Sequence, residues 1–297
     1  MKPTRPSDVT ALFREIDFRP SRVLGQNFLV DGNILDITMD AAQIARDDVV
    51  LEIGPGLGVL TGPLLSRAAK VVAIEKDPKL FAFLQTRFSG ELNLDLEHGD
   101  ATEVNLDEIL EQGVTKVVAN LPYSVASRLL VDLCHSPRRP LRIVVTVQEE
   151  VADRITASPN NKRFGVLSVF TQMHYDPTIR KRIRPTCFFP PPKITSSLMI
   201  LERLKHPRSP LEDPDLYRTL VRTAFAQRRK KVSTTLALAP APLRISRDDF
   251  TLLAERLGIK PNARPENLRP EQFGALANAL VSRARKEAAG RETSSPG

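Results

Sequence analysis

The chain has 297 residues, 41% of them hydrophobic, and its 43 Lys+Arg against 35 Asp+Glu give a formal net charge of +8. That length can bury a full core and is long for one compact layer, so one large domain and one smaller domain are expected. No run approaches the roughly 20 apolar residues that cross a bilayer and no apolar leader opens the chain, while Cys134, Cys187 and the scattered histidines lack the spacing of a disulfide framework or a zinc site. The expectation is a soluble, cytoplasmic protein with reduced thiols, no metal and no membrane partner.

Residues 1–24 look like a flexible N-terminal segment, after which Asp31 can cap a helix carrying Ile34, Leu35, Ile37, Met39 and Ile44. Strand-like apolar runs recur at 48–53, 70–75, 92–97, 115–119 and 141–147, separated by helical patterns such as 78–88 and 125–134. This alternation predicts an α/β fold: a mostly parallel sheet with helices on both faces. A helix to about Ala157 and further strands near 166–175 and 196–203 complete the expected sheet. Pro207, Pro210 and Pro214 then mark a linker, beyond which helical patterns lie at 214–226, 246–257 and 270–284. The predicted organisation is a flexible segment 1–24, an α/β domain 25–205, a small all-α domain 206–284 and a disordered tail 285–297 that ends Ser-Ser-Pro-Gly.

Charge is divided unevenly. Residues 1–204 hold 25 Lys+Arg and 25 Asp+Glu, whereas 205–297 hold 18 and 10, so the whole excess sits in the C-terminal third. Its densest cluster, Arg228-Arg229-Lys230-Lys231, is the expected phosphate contact.

The chemistry is concentrated at the expected strand ends. Val49-Val50-Leu51-Glu52-Ile53 runs into Gly54-Pro55-Gly56-Leu57-Gly58, where glycines permit a tight turn and let backbone N–H groups approach a ligand. Glu75 closes the next strand about twenty residues on, where an acid can accept both hydroxyls of a ribose. The spacing G-x-G-x-G does not match the dinucleotide fingerprint G-x-G-x-x-G, although a dehydrogenase nucleotide site would look similar. Asp77 reads as the cap of the helix that begins at Pro78. Asp100, after a third strand, can accept from an adenine amino group. Asn120-Leu121-Pro122-Tyr123 ends a fourth, and it joins an amide oxygen, a backbone kept out of a regular ladder and a π-face. Those features suit a planar, amine-bearing base; alone, the tetrapeptide is as readily a proline turn with a packed tyrosine.

In this order the pieces resemble a class I, Rossmann-like S-adenosylmethionine-dependent methyltransferase. Gly25-Gln26-Asn27-Phe28-Leu29, Glu52 to Gly58, Asn120 to Tyr123, Phe188-Phe189-Pro190-Pro191-Pro192-Lys193-Ile194-Thr195-Ser196 and Phe225-Ala226-Gln227-Arg228-Arg229-Lys230-Lys231 narrow the resemblance to the rRNA adenine N6-dimethyltransferases, from about Arg22 to about Ala279. The resemblance implies an enzyme that uses S-adenosyl-L-methionine to dimethylate two adjacent adenosines in a hairpin loop near the 3′ end of small-subunit rRNA. It would act as a monomer in ribosome biogenesis, with that rRNA inside a small-subunit particle as its partner. Carried over, the cofactor residues are Asn27, Leu29, Gly54, Gly56, Glu75, Asp100 and Asn120, and the catalytic residues are Asn120, Leu121, Pro122, Tyr123 and Phe188. Tyr123 and Phe188 would stack on the two faces of a flipped base, with Phe189 as the competing ring, and Arg228, Arg229, Lys230 and Lys231 would bind RNA. Two other readings are a large-subunit rRNA adenine methyltransferase of the macrolide-resistance type, and an assembly factor acting mainly by binding RNA.

Overall fold

The computed structural model describes residues 6–21 and 25–292, the last six as backbone only. Two compact units divide them: one takes the described residues up to Thr156 with Asp176–Arg203, the other Ala157–Tyr175 with the described residues from Leu204 onward.

In the first unit the chain runs α1 (Pro6–Glu15), β1 (Phe28–Leu29), α2 (Gly32–Ala42), β2 (Val49–Ile53), α3 (Thr61–Leu65), β3 (Lys70–Glu75), α4 (Pro78–Arg87), β4 (Leu94–His98), α5 (Leu106–Glu111), β5 (Lys116–Asn120), α6 (Ala126–His135), β6 (Arg142–Gln148) and α7 (Glu149–Ile155). After α8 (Val166–His174), which belongs to the second unit, come β7 (Tyr175–Ile183), β8 (Phe188–Phe189) and β9 (Ser196–Arg203). The main sheet has the order β4-β3-β2-β5-β6-β9-β7. Strands β2 to β6 pair in parallel, and β9 lies antiparallel to β6. Val50, Leu51, Val71 and Val117 are fully buried, as strands covered on both faces require. The chain moves outward from β2 through β3 to β4, then returns to β5 on the other side of β2, so strand order reverses between β2 and β5. In such sheets ligands bind beyond the carboxyl ends of the strands at that reversal. At the opposite edge Asp48 accepts from Thr115 Oγ1 at 2.7 Å and pairs with Lys116 Nζ at 2.7 Å, tying β2 to β5.

Local chemistry sets the helix starts. Asp31 accepts from Ile34 N to cap α2, and Asp77 accepts from Lys79 N and Leu80 N ahead of Pro78 to cap α4; such caps contribute about 1 kcal/mol each.

Four features differ from the sequence reading. Residues 6–15 of the expected flexible segment are helix α1: Val9, Leu12 and Phe13 form a buried stripe against Phe18, Phe28, Leu57 and Leu80, a surface that no local pattern announces. Residues 1–5 and 22–24 of that segment lie outside the described residues. The expected strand at 166–175 is helix α8, in which Ser168 Oγ accepts from Gly165 N at the start; Leu167 to Thr171, Met173 and His174 are all buried, so the run has no period to mark it as helical. The segment Ala157–Tyr175 joins the second unit instead of the sheet. The expected tail is helical as far as Glu292, with Arg285 paired to Glu212 at 2.9 Å, and residues 293–297 lie outside the described residues. Strands β1 and β8 add an antiparallel ribbon with Phe28 opposite Phe189 and Leu29 opposite Phe188.

The second unit consists of α8 with α9 (Pro214–Ala226), α10 (Val232–Ala237), α11 (Arg247–Arg256) and α12 (Pro270–Glu292). Tyr217, Phe250 and Phe273 are fully buried in it. Gly274 of α12 lies against Ser209, where an added Cβ would fall 2.6 Å from the serine Cβ, so this position requires the smallest residue.

Candidate active site

A cavity of about 250 Å³ opens at the carboxyl ends of β2, β3 and β5 and is closed on one side by Gly25 to Leu29. Its floor is the turn after β2. Gly54, Gly56 and Gly58 have φ of +68°, +59° and +72°, the left-handed region that favours glycine. A Cβ on Gly56 would approach the Phe28 ring to 3.1 Å, and one on Gly58 would come within 2.6 Å of Phe88. Sterics and backbone conformation therefore hold this loop low, against the cavity.

Glu75, 5% exposed at the end of β3, accepts from Gly56 N through Oε2 at 2.9 Å and from Asp77 N through Oε1 at 2.8 Å. Burial raises its pKa, partly offset by these backbone bonds. A carboxylate has about four acceptor sites, so it can brace the loop and still accept hydroxyls. Asp100, beyond β4, is held by Lys76 Nζ at 2.5 Å and accepts from Thr102 N and Oγ1 at 2.9 and 2.8 Å. The hydrogen bond from Lys76, the largest contribution, lowers its pKa to about 2, so Asp100 is an ionised acceptor at working pH. Gln26 Nε2 donates to Asp77 Oδ2 at 3.1 Å, joining the Gly25–Leu29 segment to the start of α4.

Asn120 ends β5 with its Nδ2 donating to the Asn27 carbonyl at 2.8 Å, which orients the amide and leaves Oδ1 as its acceptor. The Leu121 N–H donates to Thr146 O at 3.2 Å, and the Pro122 carbonyl accepts from Val125 N and Ala126 N to start α6. Tyr123 is half-buried at the cavity, and its hydroxyl lies 2.6 Å from Ser196 Oγ.

The cavity thus brings together Asn27, Leu29, Gly54, Gly56, Glu75, Asp100, Asn120, Leu121, Pro122 and Tyr123. Phe188 is not among its lining residues: it is 3% exposed, opposite Leu29 in the ribbon and packed into the core. Phe189 is half-buried with its ring 6.1 Å from Phe13. Two charged lining residues, Glu52 and Lys76, are given no role by the sequence reading. Glu52 is the lone acid inside an apolar strand and could have been noticed for that. Lys76 gave no such signal, because its partner Asp100 is reached only through the β3–β4 pairing.

In the helical unit Arg229, Lys230 and Lys231 line a concave surface with Lys260, Arg264 and Arg269. Arg228 is directed elsewhere: its Nε pairs with Glu266 Oε2 at 2.7 Å, and Nη2 donates to Asn161 O at 3.3 Å. The three additional basic residues are isolated in sequence, so no run marks them.

The sheet order, the antiparallel β9 and a glycine-floored cavity at the strand reversal define the class I methyltransferase fold. The chain belongs to the ribosomal RNA adenine dimethylase family, which it matches over residues 18–281. It is 37% identical over 270 residues to the ribosomal RNA small subunit methyltransferase A of Clostridium acetobutylicum, covering 91% of this chain and 96% of that protein. The protein of that name from Clostridium perfringens is 37% identical over 91% of this chain and 93% of its own length. Among solved structures, a dimethyladenosine transferase from Plasmodium falciparum is similar in fold with a TM-score of 0.72, at 24% identity over 86% of this chain and 98% of that one. The 23S rRNA methyltransferase ErmE is similar with a TM-score of 0.63, at 24% identity over 86% of this chain and 100% of that one.

Proposed function

We propose that the protein transfers methyl groups from S-adenosyl-L-methionine to N6 of two adjacent adenosines in a hairpin loop near the 3′ end of small-subunit rRNA. It does so in the cytoplasm, as a monomer, on rRNA within a small-subunit particle. The observation that carries this reading is the placement of Asn120 and Tyr123 on the same cavity as the glycine loop, Glu75 and Asp100. A base-holding group and a nucleoside-holding group then face each other across one space.

The residues fit the cofactor. The glycine loop holds a left-handed backbone that L side chains rarely adopt and lines the cavity with Gly54 and Gly56, Glu75 suits a ribose, and Asp100 suits an amino group. When bound, the cofactor supplies a methyl group on a sulfonium. The chain's own task is to make adenine N6 nucleophilic, because its lone pair is delocalised into the ring. Asn120 Oδ1 and the Leu121 carbonyl accept the two N6 hydrogens and favour a pyramidal nitrogen, an interaction that strengthens as positive charge develops. Asn120 is neutral, so the proton leaves to solvent without being trapped. Tyr123 stacks on the base and offsets part of the few kcal/mol needed to unstack it. The concave basic surface carrying Arg229, Lys230 and Lys231, with Lys260, Arg264 and Arg269, is suited to phosphates.

Mapping methylated adenosines in rRNA from cells with and without the gene tests the substrate: the dimethylated pair near the small-subunit 3′ end should disappear. Loss of a methyl group from large-subunit rRNA instead would overturn the reading. For the site, Asn120→Ala should slow single-turnover methylation by about 10²-fold or more at saturating cofactor and RNA, the scale of one preorganised hydrogen-bonding group. A parental rate would remove Asn120 from the mechanism.

A further inference from the structure

Ser196 is fully buried and does not line the cavity. Its hydroxyl nevertheless lies 2.6 Å from the hydroxyl of Tyr123, whose ring does line the cavity, and either group can donate. Among the described residues neither hydroxyl makes another hydrogen bond. The serine is itself held rigidly. It opens β9 in register with Gln148 of β6, Glu149 N donates to the Thr195 carbonyl at 3.0 Å, and Ser197 Oγ accepts from Arg182 Nη1 at 3.0 Å. Arg182 is fixed in turn by Asp153 at 2.5 Å and Glu149 at 3.2 Å. Tyr123 is therefore anchored twice: its backbone belongs to the turn after β5, and the far end of its ring is held by β9, two strands away. An aromatic ring held at Cβ alone turns in a broad χ2 well, whereas a bond at the para hydroxyl fixes its plane. Among the described residues, the aromatic rings lining the cavity are Phe28 and Tyr123, and Phe28 packs against Phe13 and Phe18. A base entering the cavity thus takes its tilt from Tyr123.

We propose that Ser196 is a positioning residue for methyl transfer: through its bond to the Tyr123 hydroxyl it sets the plane of the ring on which adenine lies, and so the direction in which N6 meets Asn120 Oδ1. The inference rests on the functional reading above. Ser196 touches neither base nor cofactor and acts only through Tyr123. Burial raises the pKa of the Tyr123 phenol, partly offset by the bond to Ser196, so the ring keeps a neutral hydroxyl at working pH and the bond persists. A platform already locked in the productive plane spares the base a search over ring orientations, and a small misplacement of the reacting nitrogen is enough to slow transfer.

The test is single-turnover methylation, at saturating S-adenosylmethionine, of small-subunit particles taken from cells without the gene. Parent, Ser196→Ala, Tyr123→Phe and the double variant are compared over a range of particle concentrations, with cofactor affinity measured by calorimetry. Each single variant should lower the saturated rate about ten-fold, the scale of one hydrogen bond, with cofactor affinity and the half-saturating particle concentration within about two-fold of the parent. The double variant should be no slower than the slower single variant, because both changes remove the same bond. Multiplied losses in the double variant would show that Ser196 acts by supporting β9 and not through Tyr123, and would overturn the inference. A change confined to half-saturation would also overturn it, since the bond would then serve binding and not orientation. Should Ser196→Ala fail to fold, Tyr123→Phe decides, because it keeps both the serine and the ring; a parental rate in either single variant overturns the inference alone. Failure of the parent to methylate the particles overturns the functional reading and this inference together.

Discussion

In the proposed function Glu75 takes a second task through one carboxylate, because the oxygens offered to a ribose already hold Gly56 N and Asp77 N. Glu75→Ala should therefore weaken S-adenosylmethionine binding by roughly 1–3 kcal/mol, and calorimetry that finds unchanged affinity would count against the ribose role. Glu52 makes a separate prediction for the ligand-free protein. Burial raises its pKa from 4.5 to about 8 in the folded chain, so between those values the folded state holds a proton that the unfolded state has lost, and stability falls as pH rises through the window. Glu52→Gln removes that slope. Parent and variant should melt alike in urea near pH 4.5, whereas near pH 9 the variant should be more stable by on the order of a few kcal/mol; parallel curves at both pH values would mean that Glu52 is better solvated than its position suggests. At this scale the sequence was informative where residue type and immediate context define a role. Asp77, which caps α4, is of that kind, and the same context placed Asn120, Glu75 and Asp100 at strand ends that line one cavity. It was uninformative for Phe188, since a phenylalanine in a proline-rich segment suits a stacking platform and a core position equally well, and only burial separates them.

Helix α1 shows how an element can be invisible locally and still shape a site. Phe13 touches three rings, with centroids 5.1 Å from Phe18, 5.2 Å from Phe28 and 6.1 Å from Phe189. Phe28 in turn lines the cavity and restricts the space above Gly56. Phe13→Ala should lower stability by about 3–5 kcal/mol, the usual range for a buried phenylalanine. It should also weaken cofactor binding by loosening Phe28, although Phe13 is not itself a lining residue. A melting shift with full cofactor affinity would show that Phe28 holds its place without α1. The helices α2 and α4 were legible because Asp31 and Asp77 cap them through bonds only two or three residues long. Helix α8 was not, because burial on every side leaves no periodicity.

For the whole molecule, the charge asymmetry has a measurable consequence. Replacing Arg229, Lys230 and Lys231 together with Gln should weaken RNA binding and reduce the salt dependence of the binding constant by about one unit for each phosphate that is no longer neutralised. Cofactor affinity should not change. Arg228→Gln, by contrast, breaks the pair with Glu266 and should act mainly on thermal stability of the helical unit, with little change in salt slope. A salt slope unaltered by the triple replacement would move the phosphate-binding surface elsewhere on the molecule.

What the sequence determined by itself was whatever short-range chemistry can specify. The glycine turn needs left-handed backbone, the caps need an acid two or three residues before an N–H, and apolar runs that alternate with amphipathic ones need a covered parallel sheet. Tertiary structure alone decided the rest, because each remaining feature depends on partners far apart in the chain. The pairing of Lys76 with Asp100 depends on β3 and β4 lying side by side. Among the described residues the Glu52 carboxyl has no hydrogen-bond partner only because β2 is enclosed by its neighbours. Arg228 parts from its three basic neighbours because Glu266 lies within reach, and α1 is held by a surface assembled from four distant segments.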